Sequence, residues 1–176
     1  CNSVRTVVDF RASTALAFGS MLCEIKIRMT TPLLGQQRDP SGIRRFTRTA
    51  SQAIAIDLER WLWAFSEAAK SLHVNVHTSS LHPTEGIAAP TIVLYNRRWK
   101  DRKSGQEVQR QEMFESVRKG TVLTFRLAVT TDSENPKPTA EQVQSLFGYI
   151  GEFIGISQWG NRFGYGRFSV DNVTVL

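Results

Sequence analysis

Four glycines fall within twelve residues near the end of the chain, in Gly155-Ile156-Ser157-Gln158-Trp159-Gly160-Asn161-Arg162-Phe163-Gly164-Tyr165-Gly166-Arg167. Glycines at that density let a backbone take positive φ and come close to a partner. Backbone N–H groups can then face phosphates, Arg162 and Arg167 can pair with phosphate oxygens, and Trp159 and Tyr165 can stack on bases. Asn161 belongs to the same candidate surface. The competing reading is a structural turn whose Trp159, Phe163 and Tyr165 fill the core beneath a sheet. Phe163 and Phe168 are expected in the core.

A second candidate is the run Arg97-Arg98-Trp99-Lys100-Asp101-Arg102-Lys103, five cations of seven residues around one Trp. Phosphate contact is mainly electrostatic and salt-dependent, so clustered charge at an exposed turn suits it. The alternatives are a solvated hairpin tip or a surface that docks on an acidic protein. A third set, Arg38, Arg44, Arg45 and Arg48, falls in one long loop, and arginine suits bidentate phosphate contact. Asp39 is the only acid in that loop and reads as a turn residue beside Pro40.

His73 and His77 would share one helix face, a spacing that can suit a metal. Val74, Asn75 and Val76 argue that the helix has ended by then, and no Cys or acid pair completes a site. His73, His77 and His82 therefore read as surface or loop residues. No phosphate-binding Walker loop, nucleophile elbow or paired-carboxylate motif is present. No catalytic residue, metal or cofactor is assigned. Cys1 and Cys23 are too few for a disulfide framework and have no metal-ligand spacing, which makes a reduced, cytoplasmic protein the default expectation. No apolar run approaches 18 residues, so no transmembrane helix and no membrane partner are expected. The net charge of +6 and the pI of about 9.7 favour a polyanionic partner without proving one.

The elements that must position these residues follow from periodicity. Residues 22–30 alternate apolar and polar as a half-buried strand does. Residues 32–53 read mainly as loop, with room for a short strand or hairpin. Over 54–72, Leu58, Trp61, Leu62, Phe65, Ala69 and Leu72 recur at helical steps and share a face. Trp63 lies off that face and suggests a protein contact. Residues 73–90 are polar and turn-rich. A strand over 91–95 extends through the basic 96–103 to a turn at Ser104-Gly105. Residues 121–130 form the next strand, with Leu123, Phe125, Leu127 and Val129 on its apolar face. Thr139 and Gln142 resemble a capping box for a second helix over 139–154, whose buried face is Val143, Leu146, Phe147, Ile150, Phe153 and Ile154. A final strand covers 168–175.

The order strand, helix, strand, strand, helix, strand is that of a ferredoxin-like, RRM-like βαββαβ domain, an α/β (α+β) fold with a four-stranded antiparallel sheet and two helices. One domain is expected over 21–176. Residues 1–20 show no clear periodicity and read either as a flexible arm or as an extension added upstream of a natural start at Met21.

Three motifs then coincide. The first strand ends in Thr30-Thr31-Pro32-Leu33-Leu34-Gly35. Glu115-Ser116-Val117-Arg118-Lys119-Gly120-Thr121-Val122-Leu123-Thr124-Phe125 leads into the third strand. The glycine-rich loop, ending Gly164-Tyr165-Gly166-Arg167, lies between the second helix and the fourth strand. Together they resemble the RAMP superfamily of CRISPR-associated proteins over most of residues 22–176, although no long thumb insertion is evident. The resemblance implies non-catalytic binding of RNA or single-stranded nucleic acid and, with protein subunits, a place in an antiviral-defence ribonucleoprotein. A stand-alone or phage-borne relative fits equally. Two other functions stay open: a metal-independent endoribonuclease using a loop histidine, and a phage-related structural or assembly protein with a basic docking surface. The expected binding residues are Arg44, Arg45, Arg97, Arg98, Lys100, Arg102, Lys103, Trp159, Asn161, Arg162, Tyr165 and Arg167.

Overall fold

The computed structural model describes residues 20–48, 52, 54–56, 58–73, 91–130, 139–157 and 164–176, with the side chains at 20, 58, 91–97 and 127–130 excepted. The proposed extension over 1–20 lies outside them, apart from the backbone of Ser20. Strand β1 (Ser20–Met29) is central to the main sheet. It is flanked by β9 (Val122–Thr130) and β10 (Phe168–Val175), both antiparallel, in the order β10-β1-β9. Ile25 lies opposite Phe125 on one side and Val173 on the other. Alternation puts Cys23, Ile25, Ile27 and Met29 on one face, all buried.

That face is covered by α1 (Leu58–Leu72) and α2 (Ala140–Tyr149), the latter continued by a π-helical turn, Ile150–Ile154. Trp61 is fully buried at the centre. Its ring centroid lies 5.5 Å from that of Phe125, 5.6 Å from Phe147 and 6.3 Å from Phe168. Phe168 is core, as expected; Phe163 lies outside the described residues. The capping box at α2 is present: Thr139 Oγ1 accepts the Gln142 N–H at 3.2 Å, and Gln142 Oε1 accepts the Thr139 N–H at 2.9 Å.

The remaining strands build a second sheet on β8 (Glu107–Val117). Along one edge runs β7 (Thr91–Lys100), making a long hairpin. Along the other lie β2 (Leu33–Leu34) and then β4 (Arg44–Arg45), which carries β3 (Gln37–Arg38). A short ribbon joins β5 (Thr47–Arg48) to β6 (Ile54–Ala55).

Among the described residues the architecture is therefore α+β with two helices and mainly antiparallel sheets. It differs from the pattern reading in four places. Among the described residues the main sheet has three strands rather than four, because β7 pairs with β8. No strand was expected over 107–117: residues 109–111 and 113 are exposed, so the outer half carries no amphipathic alternation, and cross-strand pairing makes it a strand. Ile54 and Ile56 are buried with Ala55 between them half-exposed, a two-residue period, so the helix starts at Leu58 instead of 54. Phe153 is 55% exposed rather than buried, since the π turn, closed by the Gly155 N–H to the Ile150 carbonyl at 2.6 Å, rotates it off the apolar face.

Candidate nucleic-acid interface

The β7–β8 hairpin projects a basic tip. Its turn is tied by Asp101, whose carboxylate accepts the N–H groups of Lys103 at 2.7 Å and Ser104 at 2.9 Å. Those two backbone bonds, Ser104 first, hold the Asp101 carboxyl below its usual pKa. The one acid inside the basic run is thus used by the turn. Around it Arg98, Lys100, Arg102 and Lys103 are exposed, and none of the four makes an ion pair with a described residue. Trp99, 36% exposed, stands opposite Val108, and Lys100 opposite Glu107. Arg97 occupies the register position opposite Arg110; its side chain lies outside the described set.

The arginines after β1 are placed differently. Glu112 and Glu115, each 5% exposed on β8, meet them. Glu112 faces Arg38 at 3.3 Å, Arg110 at 3.6 Å and Arg44 at 3.8 Å. Arg44 also donates to the Gln36 carbonyl at 3.2 Å and lies over the Phe114 ring. Glu115 accepts from Arg48 at 2.9 Å, Arg45 at 3.2 Å and the Phe46 N–H at 2.9 Å. Buried carboxylates demand such partners. The charges of Arg44 and Arg45 are directed to internal acids, while Arg45 stays 40% exposed at its side chain.

Asp39 is the turn residue its neighbours implied. Its carboxylate accepts from Ser41 Oγ at 2.6 Å, Arg45 Nε at 2.5 Å and the Ile43 N–H at 2.9 Å. The Ser41 hydroxyl first, then Arg45, hold its pKa down at about 2.

Of the glycine-rich segment, Trp159, Asn161 and Arg162 lie outside the described residues. The part from Gly164 to Arg167 closes over the exit of β1. Gly166 has φ +71°, donates its N–H to the Pro32 carbonyl at 2.8 Å and accepts from the Ile156 N–H at 3.0 Å. A Cβ there would sit 2.4 Å from the Ser157 nitrogen, so only glycine fits. The Arg167 N–H donates to Thr31 Oγ1 at 2.8 Å, and its carbonyl accepts from the Thr30 N–H at 2.9 Å. One Arg167 guanidinium nitrogen donates to the Glu152 carbonyl, and burial pushes its pKa down. Tyr165 is half-buried. Two of the three motifs singled out by sequence are therefore one contact surface.

Pattern reading passed over Arg60. It lies half-buried in the first turn of α1, next to the 37%-exposed Trp63 and the Gly155 carbonyl. The signal was its three-residue spacing from an off-face Trp. His73 is exposed at the end of α1 with φ +53°; His77 and His82 lie outside the described residues. Among the described residues no three His, Cys, Asp or Glu side chains gather as a metal site, and no helix is long and apolar enough to cross a membrane. A pocket beside Leu33, Phe46 and Ile156 offers about 10 Å³, room for about one water.

No protein-family profile matches the chain, and no curated protein matches it in sequence. Solved structures do match, 63 chains in all. One is a chain in the cryo-EM structure of the Type III-B Cmr-beta bound to cognate target RNA, with a TM-score of 0.63 at 10% identity over 91% of this chain. The match takes in 62% of that longer chain, so the present sequence spans about three fifths of its length. At that identity the likeness shows a shared fold and nothing more specific.

Proposed function

We propose that the protein binds RNA or single-stranded nucleic acid without cleaving it, as a RAMP-like protein that works with other subunits in a CRISPR-type ribonucleoprotein. The observation that carries this reading is the hairpin tip, where Arg98, Lys100, Arg102 and Lys103 are exposed beside Trp99 and free of ion pairs to described residues. Backbone charge on a nucleic acid is what such a cluster recognises. A fold shared with a chain from an assembly that holds target RNA agrees with it. The β10-β1-β9 order is compatible with it: a ferredoxin-like sheet would carry these three strands side by side, while β7 here pairs with β8 as a basic hairpin. Tyr165 and Arg167, with Trp159, Asn161 and Arg162, form the second part of the surface in this reading, and Arg44 and Arg45 a margin of it through the exposed part of Arg45.

Purification followed by absorbance at 260 and 280 nm, light scattering and nuclease treatment tests the proposal. The expected result is co-purifying nucleic acid that nuclease removes, and a complex that shrinks with it. A large, nucleic-acid-free assembly that survives nuclease would contradict it in favour of docking on acidic protein neighbours. Cleavage of structured RNA in EDTA, abolished by His73→Ala, would contradict the non-catalytic part.

A further inference from the structure

Arg60 and Trp63 stand one turn apart on α1, at the point where the glycine-rich segment begins. The Arg60 guanidinium carbon lies 4.4 Å from the Trp63 ring centroid, within cation–π range. Its Nη2 donates to the Gly155 carbonyl at 3.5 Å, a long bond. Its Nε is buried with no hydrogen-bond partner. Among the described residues no carboxylate comes within ion-pair distance, neighbouring Glu59 and Glu152 included. Residues 155–167 contain no Asp or Glu.

A guanidinium keeps its charge in a protein, and a half-buried one without a counter-charge is unfavourable. The Trp63 ring fixes one face of the fork, and one distant carbonyl satisfies little of it. The arginines at 38, 44, 45 and 48 each meet a buried or turn carboxylate, whereas half-buried Arg167 meets the Glu152 carbonyl. Among the described residues Arg60 meets no carboxylate, and an anion with two acceptor oxygens would complete its surroundings. The exposed part of the Trp63 indole lies beside it, an apolar plane that suits a base.

We propose that Arg60 and Trp63 form a seat for one nucleotide of a single-stranded RNA, Arg60 taking a backbone phosphate and Trp63 stacking the base. The proposal rests on the RNA-binding reading above. An acidic polypeptide could satisfy Arg60 but would leave the indole without a stacking partner.

The test is fluorescence anisotropy of a short single-stranded oligouridine against wild type, Arg60→Ala, Arg60→Lys, Trp63→Ala and the quadruple Ala variant of Arg98, Lys100, Arg102 and Lys103, over a series of KCl concentrations. Arg60→Ala should weaken binding about tenfold and reduce the slope of log K against log salt by about 0.7, one phosphate contact. Arg60→Lys should keep the slope while losing affinity, since the charge stays and the fork goes. Trp63→Ala should weaken binding roughly five- to 150-fold with the slope unchanged. If the quadruple variant loses affinity while the Arg60 and Trp63 variants match wild type, the seat is wrong and RNA binding stands. If wild type itself does not bind, both fail. Ultraviolet crosslinking of wild type to the same RNA guards against variants that misfold. A crosslink in the peptide holding Trp63 supports the seat, and crosslinks confined to 91–117 overturn it. Displacement of the RNA by polyglutamate through Arg60 alone, with Trp63→Ala unaffected, would also overturn it in favour of a protein ligand.

Discussion

Glu115 shows how a single side chain organises its surroundings. Its carboxylate receives Arg45, Arg48 and the Phe46 N–H, so one acid fixes the strap after β1 against β8. Glu115→Ala should destabilise the fold by roughly 2–3 kcal/mol, less than for a fully enclosed pair because both arginines are partly exposed. Glu115→Gln should recover part of that by keeping an acceptor for Phe46, and urea melts of the two variants check the order. Asp39 gives a pH prediction. Its folded-state pKa of about 2 lies below the unfolded value near 3.9, so its contribution is present above about pH 4. That contribution disappears as pH falls through about 2. A carboxyl NMR titration should show the Asp39 midpoint near 2, with Asp39→Asn abolishing the associated acid slope of stability. From sequence the arginines at 38–48 and at 97–103 looked alike, because charge type was legible and pairing was not. The buried partners of the first set, Glu112 and Glu115, are 67 to 74 residues away in the chain.

At the scale of elements, legibility followed amphipathicity. The two helices and β1, β9 and β10 each bury one face against the same core, so their periods of 3.6 and 2 could be read directly. The outer half of β8 buries almost nothing, and its strand character comes from β7 across the hairpin. Phe153 was misplaced because a π turn changes the helical phase without any mark in residue type. The glycine-rich segment proves to be an element with a fixed seat, at least over its last residues. Gly166→Ala should destabilise by about 2 kcal/mol or more, combining a positive φ with the clash at Ser157. Gly151→Ala should behave similarly, since a Cβ there would lie 2.2 Å from the Phe168 carbonyl oxygen. Thermal melts that leave both variants at the wild-type Tm would contradict the packing described.

Across the whole molecule, charge is segregated by use. Cations near the junction of β4 and β8 neutralise buried glutamates and hold the two sheets' connections in place. Cations at the far end of the hairpin face solvent with no described partner. Composition alone, at +6, could not separate the two groups. The central claim is that the hairpin tip binds nucleic acid through phosphate charge. The most direct measurement is the affinity of single-stranded RNA for wild type and for the Arg98, Lys100, Arg102 and Lys103 quadruple Ala variant as KCl is raised. The variant should fold with an unchanged Tm, bind more weakly at low salt, and show a log K against log salt slope shallower by up to about 2.8, roughly 0.7 for each phosphate that the removed cations neutralised. Equal affinity and equal slope for the two proteins would contradict the claim.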